Sequence, residues 1–137
     1  MIQVAVGILI RNSSSSTERE VLICQRIKSG RYPLKWEFPG GKVEAGETGE
    51  DCLRRELFEE LETYPGIIEP YHHQQHSYAD SGAFDVTYYL VASFTGTLIN
   101  RVFESTAWVP ISQLGNYDIL EGNMDVISKL LAGHETA

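Results

Sequence analysis

Cysteine is scarce in this chain of 137 residues, with only Cys24 and Cys52, and neither stands in a C-x-x-C pair. That excludes a disulfide framework and a cysteine-rich zinc module, and it leaves both thiols as expected small core residues in a reducing compartment. Long apolar runs are missing too. Nothing approaches the roughly 20 consecutive apolar residues of a membrane span. The apolar opening, residues 2–10, lacks a basic leader and a cleavage site, so it is expected to be a first strand and the protein cytoplasmic. Basic residues are few, 11 Lys and Arg against 19 Asp and Glu, for a formal net charge of −8. A nucleic-acid polymer is thereby disfavoured as a partner, because tracking phosphates needs clustered cations. A small nucleotide remains allowed.

What is present reads as one domain over residues 1–137, large enough to bury a core without staples. Residues 2–10 and 20–27 are rich in Val, Ile and Leu, and the polar tract 12–17 separates them as a loop between two strands. Residues 36–38 form a short strand stopped by Pro39, and Gly40-Gly41 is expected as a tight turn. Residues 67–77 and 84–94 read as strands broken by turn residues 79–82, and 107–109 as a short strand ended by Pro110. Val126, Ile127, Leu130 and Leu131 stand at helical spacing, predicting an amphipathic helix over 123–131. Strands flanking one central helix and finishing in another imply an α/β (α+β) fold, a mixed sheet sandwiched between helices.

The central helix carries the chemistry. Residues 40–63 read GGKVEAGETGEDCLRRELFEELET. A helix starting near Thr48, a favourable N-cap, puts Glu56, Glu59 and Glu60 on one flank and Leu53, Leu57 and Leu61 on a separate apolar stripe. Three neighbouring carboxylates repel one another and hold protons unless a divalent cation neutralises them. Hard oxygen ligands suit Mg²⁺, with Mn²⁺ also possible, and Mg²⁺ usually shares its coordination with substrate phosphates. A Glu-rich stretch is most often only a solvated helix face, so the spacing must decide. Gly41, Glu47, Arg55, Glu56, Glu59 and Glu60 coincide with the pattern G-x5-E-x7-R-E-U-x-E-E, in which U is bulky and aliphatic, by chance on the order of once in 10⁷ placements.

That pattern resembles the signature of the Nudix hydrolases. Together with IQVAVGILIRN, VLICQR and WEFPGGKVEAGET, it is similar to the MutT-like branch, which cleaves oxidised guanine triphosphates. The resemblance implies hydrolysis of a nucleoside triphosphate to the monophosphate and pyrophosphate, with a small-molecule nucleotide as partner. It leaves open monomer or homodimer. It implies metal ligation by Glu56, Glu59, Glu60 and the Gly40 carbonyl. Glu47 holds the loop through Arg55 or reaches metal-bound water, Arg55 orients Glu56, and Glu56, Glu59 or Glu104 serves as general base. Arg26 matches a phosphate-contacting position, with a solvated strand-end arginine as the alternative. Lys42 is placed either for phosphate or for a box carboxylate. Asn123 matches a purine-binding asparagine and could equally be a helix N-cap. Phe38 and Tyr78 are candidates for base stacking, with core packing the alternative for Phe38. His72, His73 and His76 are read as solvated or base-contacting rather than as metal ligands.

Two departures stand out. Glu62 and Thr63 replace the glycine and aliphatic residue that close the box, so the helix is expected to stop instead at Pro65-Gly66. Residues 81–83 lack the arginine that helps hold guanine in the branch, which leaves open pyrimidine triphosphates and dinucleoside polyphosphates as substrates. A non-catalytic nucleotide-binding module is the other alternative, although such modules are expected to lose box glutamates and none is lost here.

Overall fold

The structure is a computed structural model that describes residues 1–80 and 82–133; Ser81, part of the 81–83 departure, lies outside the described residues. Strand β1 (Ile2–Asn12) organises everything else. On one edge it pairs in parallel with β7 (Gly82–Val91). On the other edge it changes neighbour along its length. Val4 to Val6 pair antiparallel with β4 (Gly40–Lys42), and Ile10 to Asn12 with β2 (Arg19–Gln25). Strand β3 (Trp36–Glu37) lies beside β2 and β6 (Ile68–Tyr78) beside β7, giving the order β3-β2-β1-β7-β6, with β9 (Ser105–Pro110) also on β2. Two-residue strands β5 (Tyr64–Pro65) and β8 (Phe94–Thr95) pair separately.

A strand inside such a sheet, covered on both faces, is buried throughout rather than alternately. Ala5 to Ile10 are accordingly all buried, and the period of two sorts them between two cores. Val6, Ile8 and Ile10 meet Val126, Ile127 and Leu130 of α2 (Met124–Leu131). Ala5 and Leu9 meet Leu53, Leu57 and Leu61 of α1 (Gly49–Leu61) on the opposite face. Both cysteines are buried on this second side, as free thiols. Removing one of these buried leucines costs about 2–5 kcal/mol. The helix approaches β1 at Gly7, where an added Cβ would sit 3.0 Å from a Leu53 methyl.

Helix α1 starts as its sequence demands. The Thr48 hydroxyl accepts the Asp51 N–H at 3.1 Å, and Glu50 and Asp51 lie in the first turn, where the helix dipole favours them. Its end departs from expectation. Glu62 itself takes the left-handed conformation (φ 52°, ψ 38°) and donates its N–H to Phe58 O, while its carboxylate pairs with Arg101. Pro65-Gly66 is therefore not the stop signal, and Pro65 lies in β5. Gly40-Gly41 is likewise not a tight turn: both belong to β4, where a Cβ on Gly40 would come within 2.2 Å of Ala5 O. Glycine is required there by the close approach of two strands.

Candidate active site

Arg55 organises the exposed flank of α1. Its Nε and Nη2 donate to the two Glu47 oxygens at 2.7 and 2.9 Å, and Nη1 donates to Glu56 at 2.9 Å and to Glu59 at 3.2 Å. Nη2 also reaches the Lys42 carbonyl at 3.2 Å. Glu47 in turn accepts the Glu44 N–H at 2.9 Å, so one carboxylate closes the loop and anchors the arginine. Those hydrogen bonds, Arg55's first, lower the Glu47 pKa to about 2, and the bonds of Arg55 to Glu47, then to Glu56 and Glu59, raise its own. Glu56 packs on Gly41, where an added Cβ would lie 2.3 Å from its carboxyl carbon.

Glu60 points inward and accepts the Gly40 N–H at 3.2 Å. Burial, then the charges of Glu56 and Glu37, push its pKa up to about 8. Burial also raises Glu56, against the pull of Arg55. Among the described residues no three acidic, histidine or cysteine side chains form a ready-made cation cage; Arg55 draws Glu56 and Glu59 to itself. The donor set still fits a hard divalent cation. It offers only oxygens, three carboxylates and the Gly40 carbonyl, and the raised proton affinity of Glu60 marks a place short of positive charge.

A cavity of about 370 Å³ joins this flank to the other side of the sheet, with Gly40, Lys42 and Glu60 in one part of its wall and Tyr78, Tyr88 and Asn123 in another. Asn123 is 7% exposed. Its Oδ1 accepts the Phe38 N–H at 3.0 Å and its Nδ2 donates to Tyr88 Oη at 3.2 Å. Its backbone is helical and its side chain caps nothing, which removes the N-cap alternative. Among the described residues each amide group keeps one unused valence, a lone pair on oxygen and a hydrogen on nitrogen. Tyr78 Oη accepts the Gly122 N–H at 2.8 Å, and its ring meets His76 and Phe84 edge-on. Phe38 lines the cavity too but is 3% exposed and packed in the core on the α2 side.

Arg26 borders the cavity at the end of β2, donating from Nε to Arg31 O at 2.7 Å and from Nη1 to Glu37 at 3.0 Å. Lys42 also borders it, and among the described residues its ammonium is in no ion pair with a box carboxylate. Glu104 is exposed, held by its N–H to Gln25 O at 2.9 Å, and is not brought to the cavity wall. Several wall residues escaped the sequence reading, Arg31, Glu37 and Tyr88 among them. Glu37 was hidden in the strand-like W-E-F, where the only hint was an acid between two aromatics. His76, read in the sequence as a solvated or base-contacting histidine, lines the wall with its Nε2 buried and without a hydrogen-bond partner among the described residues.

Acidic helix flank, glycine-bearing β4 and adjoining cavity define a phosphoanhydride hydrolase of the Nudix kind, and the chain belongs to that family: the NUDIX domain matches residues 1–131. It is 34% identical over 131 residues to the 8-oxo-dGTP diphosphatase of Haemophilus influenzae, covering 96% of this chain and 92% of that one. It is 32% identical over 129 residues to the 8-oxo-dGTP diphosphatase of Escherichia coli K12, covering 94% and 95%. A solved MutT structure, from a comparison of Aliivibrio salmonicida with Vibrio cholerae, superposes with a TM-score of 0.81 at 32% identity, covering 96% of this chain and 98% of that one. The mixed sheet between helices is thus that of the MutT structures. Nudix hydrolases use divalent metal ions. Among the described residues, no helix is long and apolar enough to cross a membrane.

Proposed function

We propose that this protein is a Mg²⁺-dependent nucleoside triphosphate pyrophosphohydrolase whose preferred substrates are oxidised purine nucleotides such as 8-oxo-dGTP. One water adds to phosphorus, one phosphoanhydride bond breaks, and the products are the nucleoside monophosphate, pyrophosphate and a proton. The observation that carries this reading is the single cavity shared by Asn123 and Glu60, which lets one nucleotide meet a base-reading amide and an acidic phosphate site together. The two 8-oxo-dGTP diphosphatases similar to it over nearly their whole lengths support the same substrate.

Glu56, Glu59, Glu60 and the Gly40 carbonyl would hold Mg²⁺, or Mn²⁺ in its place. The bound ion supplies charge neutralisation at the phosphates and lowers the pKa of water. Arg55 keeps Glu56 and Glu59 oriented, and one of these two accepts the proton of the attacking water; Glu104 is the weaker candidate because it stands away from the cavity. Arg26 and Lys42 bind phosphate. Asn123 offers its free lone pair and N–H to a purine edge, with Tyr78 against the ring and Phe38 fixing the amide from behind. A panel of nucleotides with Mg²⁺, assayed for released pyrophosphate, tests the assignment. Fastest turnover of 8-oxo-dGTP is expected. Fastest turnover of a pyrimidine triphosphate or a dinucleoside polyphosphate would overturn the purine reading, and no turnover at all would leave a binding module.

A further inference from the structure

Glu37 is an acid where the fold has little use for one. The register of β2 and β3 sets Cys24 opposite Glu37, and the ladder continues through the Arg26 N–H to Lys35 O at 2.8 Å, which brings Arg26 and Glu37 side by side. Their ion pair measures 3.0 Å, with side chains only 29% and 18% exposed. Burial raises the proton affinity of Glu37, and Arg26 is the charge that opposes it. As a stabilising device this is poor value, since a buried ion pair is often no better than an apolar pair of the same volume.

The pair has another use. Of the five N–H donors on a guanidinium, Arg26 commits Nε to Arg31 O and one Nη1 hydrogen to Glu37. Three remain with no protein partner among the described residues. Arg26 and Glu37 both border the 370 Å³ cavity and also a smaller one of about 160 Å³ beside Val102 and Phe103. The side chain of Glu60 lines the larger cavity as well.

We propose that Glu37 is a positioning residue for the substrate phosphates, holding the Arg26 guanidinium by one edge so that its free N–H donors face the cavity. This rests on the reading of Arg26 as a phosphate ligand.

The test is a double-mutant cycle of Arg26→Ala, Glu37→Ala and both together, with Glu37→Gln beside them. Two quantities are read for dGTP: the dissociation constant in EDTA by calorimetry, and KM and kcat with Mg²⁺. Glu37→Ala is expected to weaken metal-free binding and to raise KM by about tenfold or more, the weight of one hydrogen bond to a charged group, with kcat changed far less. Glu37→Gln, which keeps an acceptor for the Arg26 N–H, is expected to recover most of the loss, and the double variant to be no worse than Arg26→Ala. Additive losses in the double variant, or a Gln variant as impaired as the Ala variant, would overturn the positioning role. So would a lowered Tm in Glu37→Ala with dGTP binding unchanged. If Arg26→Ala binds dGTP normally, the phosphate reading of Arg26 fails and this inference with it. If the wild-type protein binds dGTP but hydrolyses no nucleotide, the hydrolase reading fails while the EDTA cycle still decides the role of Glu37.

Discussion

Replacing Glu60 with glutamine should make the metal-free protein more stable, and increasingly so as pH rises. The folded form holds the Glu60 proton up to about pH 8, against an ordinary value of 4.5. The stability this gives is fully present below pH 4.5 and is lost as pH rises towards 8, because only the unfolded chain then releases the proton freely. At about 1.4 kcal/mol per pH unit, ionising Glu60 costs the metal-free fold up to about 3 kcal/mol at pH 7 and about 5 above pH 8. Water entering the cleft screens the charge, so these are upper bounds. Glutamine mimics the protonated acid and keeps an oxygen for the Gly40 N–H. Urea denaturation from pH 4 to 9 in EDTA should show Glu60→Gln and wild type nearly equal at pH 4 and separated by a few kcal/mol at pH 9. Mg²⁺ should then restore the wild type and leave the variant unmoved, and turnover by the variant should be nearly abolished. A gap independent of pH, or equal stabilisation of both proteins by Mg²⁺, would refute the reasoning.

Arg55→Ala should lower kcat by about 10 to 100-fold with a smaller rise in KM, since the guanidinium orients Glu56 and Glu59; steady-state kinetics with only KM raised would make it a substrate-binding group. Asn123→Ala should narrow the ratio of kcat/KM between 8-oxo-dGTP and dCTP, because an unmatched buried polar group is what penalises the wrong base; an unchanged ratio would remove Asn123 from base reading. At the helix end, Glu62→Gly should be more stable than Glu62→Ala by about 1 kcal/mol in thermal melts, because both lose the Arg101 partner and only alanine keeps the left-handed strain.

The box was legible because its logic is local: one helix fixes which residues share a flank, and Thr48, the leucine stripe and the three glutamates follow from a period of 3.6. Asn123 was legible as a candidate but not in its action, since its partners Phe38 and Tyr88 are remote in the chain and no periodicity announces them. Strand β4 was missed because three residues beginning Gly-Gly carry no strand propensity; their pairing with Val4 to Val6 is imposed by tertiary structure. The left-handed Glu62 was missed because propensity assigns that place to glycine, whereas the fold tolerates the strain and adds Arg101. Glu37 went unnoticed because its meaning depends on Arg26, which only the β2–β3 register brings beside it.

The parallel pairing of β1 with β7 sets the order in which this protein can become competent. Hairpin-like contacts such as Ile10 with Val21 close short loops, whereas Ile2 meeting Phe84 and Val4 meeting Val86 require most of the chain to be in place. Those last four residues include Val4, Phe84 and Val86, which line the 370 Å³ cavity. On loop-closure cost alone the pocket is expected to form late, after α1 and the box. A nucleotide then binds only the finished protein, and at a hundred times its dissociation constant adds about 2.7 kcal/mol to the stability of the whole fold. Nucleotide would act on this chain as a selector of completely folded molecules.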